Sequence, residues 1–568
     1  MPSETKICQS CEKEFIIEPE DFVFYEKIKV PPPTWCPDCR QQRRYAWRNE
    51  RVLYRRPCDL CAKSTVTIYS PNKPFKVYCP PCWWGDGWSG LDYGRDFDFE
   101  RPFFEQWQEL QLLAPRIALL SKNSINSDYT NHSNNNKNCY LSFATFDSEN
   151  VLYSANVWVQ SRDSMDCYLA SVEGGVELSY ECLDSARIYG CQYSIFLKDS
   201  TNCYYSYDLR GCSDCFLSWN LRNKQYCIRN EQYTKEEYIK KLAEFNLGSA
   251  AARADLYKQW KALMEEEAIH KFATIERSVN CSGNSIYNSN NSFHAFDADK
   301  LEDSKYAIIV PEVKDSMDVY HVGFRTELIY ESDALIHDYN VKFSHLSYDD
   351  SGLEYCDSCH NSADLFGCVS IKQGKYCILN KQYEPEQYEE LKAKIVEHMK
   401  ASGEYGEFFP PALSPFGYNE TQGQIYMHLA KDEAMAKGYK WEDLVPGTYG
   451  KETLSPEQIP DRIEEVTDTI LKEALRCVDC SRNYNIVAAE LELYRRLEAP
   501  VSRLCPECRY RKRIAIRLPR KLWHRTCACK RENHFHSQNQ CTVEFETPYS
   551  PERPDTVYCE QCYQQEVV

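Results

Sequence analysis

The chain has 568 residues, which is length for three or four domains, and its formal charge of −18 with a pI near 5.3 excludes a uniformly basic nucleic-acid binder. Thirty cysteines would suit a secreted disulfide protein, but three features oppose that reading. The opening MPSETKICQSCEKEF has no apolar signal core, the cysteines come as C-x2-C pairs, and no run approaches the roughly eighteen apolar residues of a membrane span. The expectation is a reduced, cytoplasmic protein without a membrane segment.

Residues 1–100 carry two four-cysteine sets. Cys8, Cys11, Cys36 and Cys39 form the first, and Cys58, Cys61, Cys79 and Cys82 the second, with 24 and 17 residues between the paired C-x2-C turns. A C-x2-C turn presents two sulfurs along one edge of a tetrahedron, so two such turns on a hairpin build a closed Zn2+ site. Iron in a rubredoxin-like site would use the same ligands, and unliganded core cysteines are the plainer alternative.

Residues 101–122 read as a helical connector. From 123 to 230 the chain turns to short β-type runs separated by Asn, Asp and Ser, among them NCYLSF, NVLYS, DCYLAS, VELSYEC, NCYYSY and DCFLSW. Their spacing, roughly ten to sixteen residues, fits stacked rungs that each cover the core of the next. The block recurs about 150 residues on: RDSMDCY returns as KDSMDVY, VELSYE as TELIYE, and NKQYCIRNEQYTKEEY as QGKYCILNKQYEPEQY. The fold class expected is mainly β, a duplicated parallel β-helix-like solenoid with capping helices, flanked by N- and C-terminal zinc-ribbon modules. Helical spacing of Tyr238, Leu242 and Phe245, and of Tyr388, Leu391, Ile395 and Met399, supplies the caps. The organisation is then a tandem zinc module over 1–100, the connector, solenoid copies over 123–230 and 276–383, helical segments over 231–275 and 384–403, a linker over 404–476, and a second tandem zinc module over 477–568. In the linker, one helix is expected near residues 427–437 and an amphipathic one over 461–476 through Ile463, Val466, Ile470 and Ala474.

The two ends are copies. Shifted by 469 residues, Cys36, Cys39 and Cys58 fall on Cys505, Cys508 and Cys527, and Arg40, Arg44, Arg48 and Arg51 fall on Arg509, Arg513, Arg517 and Arg520. Phe15, Tyr25 and Pro31 fall on Tyr484, Tyr494 and Pro500. Cys477, Cys480, Cys505 and Cys508 therefore make a third site. The fourth takes Cys527 or Cys529 with Cys541, Cys559 and Cys562. An insertion, ACKRENHFHSQNQ, adds His534 and His536, and either a histidine replaces one thiolate there or both are solvated loop residues. About four structural Zn2+ ions are expected. Cys212/Cys215 and Cys356/Cys359 share the C-x2-C spacing but do not align with each other, and they read as interior ladder residues.

The order CQSCEKEF, FVFYEK, VPPPTWCPDCRQQRR resembles the short bacterial zinc-ribbon domain, over the outer third of the chain. The whole arrangement, with SPFGYNE at residues 414–420, resembles an uncharacterised bacterial multi-domain family. The resemblance implies zinc and nucleic-acid contact, with no established activity.

Charge is unevenly spread: residues 503–531 hold eleven Lys/Arg against one acid. Arg40, Arg44, Arg48, Arg51 and Arg55 recur at +4, +4, +3 and +4, one face of a helix, and Arg509, Arg513, Arg517 and Arg520 repeat the stripe until Pro519 intervenes. A fixed row of guanidinium groups matches a polyanion; a solvated face, or pairing with acids of the solenoid, would use the same residues. Tyr45 and Trp47 would pack on the ribbon or stack on a base. The function expected is a non-catalytic zinc scaffold that contacts RNA or DNA through these arginines. The alternative is a scaffold that binds a protein partner on the solenoid, with zinc purely structural. Oligomeric state is not legible. Asp349 with Asp350, or Asp163 with Asp166, could serve a sugar-cleaving enzyme, but no pair has a distinctive setting and no phosphate loop, nucleophile elbow or HExxH is present.

Overall fold

A period of three residues governs the middle of the chain. In the computed structural model, which describes residues 2–158, 160–168, 174–321, 323–536 and 539–568, every third residue over long stretches has a left-handed backbone. The series 193, 196, 199, 202, 205, 208 and the series 294, 297, 300, 303, 306, 309 are examples, with φ between 48° and 58°. Left-handed backbone costs most residues energy but is tolerated by Asn and Asp, which explains the Asn- and Asp-rich texture. The residue after each bend points inward and is small or aliphatic: Ser194, Leu197, Ser200, Cys203, Ser206 and Leu209 are all buried.

Between bends the chain makes short strands that pair in parallel with a register near twelve residues, as in Ala186↔Lys198, Ser213↔Gln225 and Ala363↔Lys375. Interior serines complete the hydrogen bonding. Ser206 Oγ donates to the Tyr204 carbonyl at 3.0 Å and accepts the Ser218 N–H at 3.4 Å, twelve residues on. Ser194 accepts the Ser206 N–H in the same way at 3.2 Å. A buried N–H that would otherwise be orphaned is thereby satisfied. At outward bends Asn126, Asn138, Asn150 and Asp163 form a second column, the first three amides each donating to the next residue's side-chain oxygen at 3.2, 3.1 and 2.7 Å.

The chain divides into two compact units, each discontinuous in sequence. The first comprises residues 1–119 and 273–445. It joins the N-terminal cysteine module to the second parallel ladder, which runs from Ile275–Glu276 to Lys381–Gln382 and ends in an antiparallel pair, Cys377↔Gln382. Helix Pro385–Ser402 follows. The second unit comprises residues 120–272 and 446–568 and joins the first ladder to the C-terminal cysteine module. That ladder ends in the equivalent antiparallel pair, Cys227↔Gln232, followed by helices Lys235–Glu244 and Ala250–Glu266.

Some expected elements differ. The connector helix covers only Phe103–Leu113, because Pro115 biases Ala114 to extended backbone (ψ 133°), and strand Arg116–Ile117 follows. Residues 461–476 form no continuous helix: Ile463, Val466 and Ile470 are buried, but they sit on the short 3-10 turns Ile463–Glu465 and Asp468–Lys472 and the segment between them. The linker helix expected near 427–437 is two short ones, Gln422–Tyr426 and Lys431–Ala436. Of the run DCYLAS, residues 169–171 lie outside the described residues. Cys212, Cys215, Cys356 and Cys359 are buried in the ladder interiors. Among the described residues no helix is long and apolar enough to cross a membrane.

Candidate metal centres and the buried arginine helices

Four times the chain builds the same small unit. A β-hairpin carries the first cysteine pair at its turn: Glu4–Ile7 with Glu14–Ile17, Tyr54–Pro57 with Ser64–Thr67, Leu475–Arg476 with Asn483–Tyr484, and Trp523–Thr526 with Glu544–Thr547. In the first three, the residue after the second cysteine (Glu12, Ala62 or Ser481) is left-handed at φ 60–61°, which closes the turn. The second pair opens a helix, with Cys36, Cys79, Cys505 or Cys559 at its N-cap. Proline follows in three of the four, at the helical position that needs no N–H.

Hydrogen bonds lock the two pairs together. The first cysteine's sulfur accepts the third cysteine's N–H in every unit: Cys36 to Cys8 at 3.1 Å, Cys79 to Cys58 at 3.2 Å, Cys505 to Cys477 at 3.3 Å and Cys559 to Cys527 at 3.2 Å. Burial would push the thiols of Cys8, Cys58 and Cys477 up, but these and neighbouring N–H donors outweigh it and bring each down to about 7.

The sulfurs converge. Cys8, Cys11, Cys36 and Cys39; Cys58, Cys61, Cys79 and Cys82; Cys477, Cys480, Cys505 and Cys508; and Cys527, Cys541, Cys559 and Cys562 each gather four Sγ atoms within 4.8 Å of one another. The contacts Cys11–Cys36, Cys61–Cys79, Cys480–Cys505 and Cys541–Cys559 measure 3.7, 3.8, 3.7 and 4.0 Å. A tetrahedral ion with M–S bonds of about 2.3 Å requires S···S edges of about 3.8 Å, whereas a disulfide would place the sulfurs about 2.05 Å apart. The donor sets fit a closed tetrahedral metal site. The fourth group takes Cys527, while Cys529 lies in a further group with His534, His536 and Cys562.

Most of the stripe arginines do not lie on an open face; Arg55 is exposed, and Arg51, Arg517 and Arg520 are half-buried. The helix that begins the first stripe ends at Tyr45 (Pro37–Tyr45), so Arg40 and Arg44 share it, Arg48 and Arg51 follow it, and Arg55 lies on strand Tyr54–Pro57. Arg40 Nε and Nη2 reach Asp318 Oδ2 at 2.9 and 2.7 Å, and Arg44 Nη2 reaches Asp318 Oδ1 at 3.2 Å and Nη1 Glu331 at 3.4 Å. Arg43, outside the expected stripe, bonds Glu331 and Glu407, each at 2.7 Å. Arg48 pairs with Glu50 and lies 3.8 Å from Asp333. Arg40, Arg44, Asp318 and Glu331 have side chains at most 2% exposed, so no phosphate reaches these guanidinium groups while the helix is docked.

The second unit repeats the arrangement. Arg509 Nε meets Asp166 at 3.0 Å, and Arg513 Nη1 meets Asp166 at 2.7 Å and Glu181 at 3.1 Å. Arg517 grips Asp184 with two bonds of 2.9 Å, beyond the helix Pro506–Ile516, and Arg520 faces the Tyr168 hydroxyl at 3.4 Å. Glu331 and Glu181 are pushed up by burial against the pull of their arginines, Glu181 to about 7. The aromatic residues pack. Trp47 stacks on Phe409 at 4.8 Å, and Tyr45 meets Tyr320 edge-on at 4.5 Å.

Both offsets hold at once in these contacts. Arg40 and Arg509 are related by 469 residues, and their partners Asp318 and Asp166 by 152; Tyr25 packs on Tyr330 at 5.5 Å where Tyr494 packs on Tyr180 at 6.0 Å. The acids sit on left-handed bends of the ladder (Asp166, Glu181, Asp318 and Glu331). The acidic pairs weighed for catalysis are engaged structurally. Asp350 accepts the N–H groups of Tyr348 and Ser362, Asp163 bonds Arg496, and Asp349 bonds His337.

No family model matches the chain, and no curated protein does. Among solved structures, one from Desulfovibrio desulfuricans G20, described as a candidate acetyltransferase, aligns with 47% of this chain and 68% of its own at 9% identity and a TM-score of 0.10.

Proposed function

We propose that the chain is a non-catalytic scaffold in which zinc-stapled ribbons clamp β-solenoid cores. The observation that carries this is the burial of the arginines. Five of the nine stripe residues (Arg40, Arg44, Arg48, Arg509 and Arg513) are buried beside ladder carboxylates, and a sixth, Arg517, is clamped by Asp184. On this reading the twelve-residue parallel ladders are turns of two solenoids, and each metal site holds one hairpin and one helix in the geometry that docks the arginines. The four-sulfur sets are closed, with no position for substrate, as structural zinc sites are. Zinc is the ion proposed, in a reducing cytoplasm, and membership of a bacterial zinc-ribbon family is part of the same proposal. The outer faces of the ladders are left for a protein partner.

The test is binding of generic RNA and DNA by the zinc-loaded protein across a salt series. The scaffold reading expects weak binding whose log K changes little with log salt. A slope worth several phosphate contacts would overturn it and restore the nucleic-acid reading through basic groups outside the buried pairs, such as Arg511 and Lys512, whose side chains are 64% and 49% exposed. Metal analysis accompanies it; a coloured protein carrying iron would replace zinc.

A further inference from the structure

The hairpin turn of the fourth unit is longer than its counterpart. Cys58 and Cys61 are three apart, whereas Cys527 and Cys541 are fourteen apart. The inserted stretch contains three residues of metal-ligand type, Cys529, His534 and His536. Cys529 Sγ, one ring nitrogen from each histidine, and Cys562 Sγ lie within 4.8 Å of one another. Cys562 also belongs to the four-sulfur group with Cys527, Cys541 and Cys559.

We infer that the inserted loop forms a fifth metal site joined to the fourth through a bridging Cys562 thiolate, making a binuclear centre of five cysteines and two histidines. The ligand count closes. Two four-coordinate ions need about eight ligand positions, and seven side chains supply them when one thiolate serves both. The fourth site does not need Cys529, because its own four sulfurs are complete; the insertion brings three donors and borrows one.

The surroundings of the loop support ligation. Cys529 Sγ and His534 Nδ1 are 3.2 Å apart, close to the edge of about 3.6 Å that sulfur and nitrogen ligands span on a tetrahedral ion. The other ring nitrogen, His534 Nε2, faces Glu566 Oε2 at 3.2 Å. A carboxylate there accepts a hydrogen bond from Nε2–H, fixes the ring, and leaves Nδ1 free to ligate the metal; it is the usual outer partner of a metal-bound histidine. The loop is held to helix Glu560–Val567, the helix that carries Cys562. The Phe535 N–H donates to Gln565 Oε1 at 2.8 Å and Arg531 pairs with Glu566 at 2.7 Å. Cys529 and Cys562 are fully buried, the His534 side chain is 8% exposed, and His536 is half-buried. The mixed sulfur and nitrogen donors select a borderline-soft divalent ion, Zn2+ or its substitutes Co2+ and Cd2+.

The inference rests on the metal reading of the four-cysteine groups, and one experiment separates the two. The full chain is loaded with the spin-½ isotope cadmium-113 and its metal resonances are counted. Five are expected, two of them split by coupling through the shared sulfur. The variant H534A/H536A should lose one resonance and the splitting, keep the other four, and fall from five to four zinc ions per chain when zinc-loaded. C529S should give the same count. Four unsplit resonances in the wild-type protein, or an unchanged spectrum in both variants, would overturn the bridged centre while leaving the structural sites intact. No resonances at all would overturn both readings. If H534A/H536A disturbs the fourth site as well, E566Q decides. It leaves every ligand in place, and the bridged centre requires a shift confined to the two coupled resonances; no such shift overturns it.

Discussion

Replacing Asp318 by asparagine tests the docking directly. Its carboxylate is fully buried and takes Arg40 at 2.7 and 2.9 Å and Arg44 at 3.2 Å. The substitution keeps the shape and removes the charge, which leaves two buried guanidinium groups facing mainly Glu331, at 3.6 Å from Arg40 and 3.4 Å from Arg44. Removing one partner from a buried ion pair costs about 3–5 kcal/mol; the residual pairing to Glu331 places D318N near the lower figure. With a urea m-value of about 3 kcal/mol/M, at the top of the small-protein range, the unfolding midpoint falls by roughly 1 M. The assay is urea unfolding of the metal-loaded protein, followed by amide exchange over residues 36–48. Buried pairs are little screened, so the loss should persist at 0.5 M salt. The triple variant R40M/R44M/D318L, which removes the charges together, should recover most of the loss, since apolar replacements of buried charge networks are often neutral or better. A midpoint within 0.2 M of wild type for D318N, with an unchanged slope, would refute the idea that these arginines are committed to the fold. D166N makes the same test at Arg509 and Arg513.

Other expectations follow from the same contacts. Stripping metal with a strong chelator at neutral pH should release reactive thiols and unfold the hairpin–helix units at residues 1–100 and 477–568, while amide protection in the ladders persists; loss of ladder protection on the same timescale would contradict independent metal staples. Glu354 is buried; burial would push its carboxyl up, but Lys392 and Lys342 at 2.9 and 3.1 Å outweigh it and hold it near 2. Its stabilisation is therefore present above the unfolded value of about 4.3 and lost as pH falls toward 2, an effect of up to about 3 kcal/mol. E354Q should accordingly cost stability at pH 7 and little at pH 2, and a pH-independent cost would refute the assignment. S206A should orphan the Ser218 N–H and cost about 1–3 kcal/mol in thermal or urea unfolding, with exchange at residue 218 accelerated; unchanged exchange there would mean that the serine column is not a structural bond.

Much of the metal architecture was legible because ligand chemistry fixes it locally. A C-x2-C turn can place its sulfurs in few ways, so the twelve cysteines of the first three sets group in the structure as their spacing requires. The insertion was harder: that Cys529 leaves the fourth group for the histidines depends on the packing of residues 529–536 against the C-terminal helix, a tertiary fact. In the middle of the chain the repeat is legible, but its twelve-residue register is not. Runs such as NCYYSY and DCFLSW suggest strands at ten to sixteen residues, because their aromatic clusters are the most conspicuous apolar positions. The controlling pattern is the small inward residue at every third position, Ser200, Cys203, Ser206, Leu209, Cys212, Cys215 and Ser218, each preceded by a left-handed bend. The arginine stripe shows the opposite limit. Sequence gives the charge and the spacing of Arg40 and Arg44 but not that Asp318 and Glu331, nearly 300 residues on, come to meet them.

The double offset narrows what those arginines are for. Two helices 469 residues apart meet acids about 150 residues apart, and in each case the arginine goes to the aspartate of an SMD tripeptide and to the glutamate of a YE dipeptide. A guanidinium kept for an external polyanion gains nothing from a buried carboxylate of matched position. The position is matched twice, on left-handed bends that Asp tolerates but where the backbone is costly for Glu. The arrangement therefore behaves as a keyed joint. The arginine helix fits the bend that carries the acid, a metal on the four cysteines would hold the helix at the angle that fits, and a charged helix docked there without the acid would have no compensation once buried. On this argument the two ends are interchangeable in principle. Exchanging residues 36–48 for residues 505–517 should retain folding and metal content, whereas exchanging them and reversing the charge at Asp318 should not. Equal stability of the two chimaeras in urea would show that the acid does not key the joint.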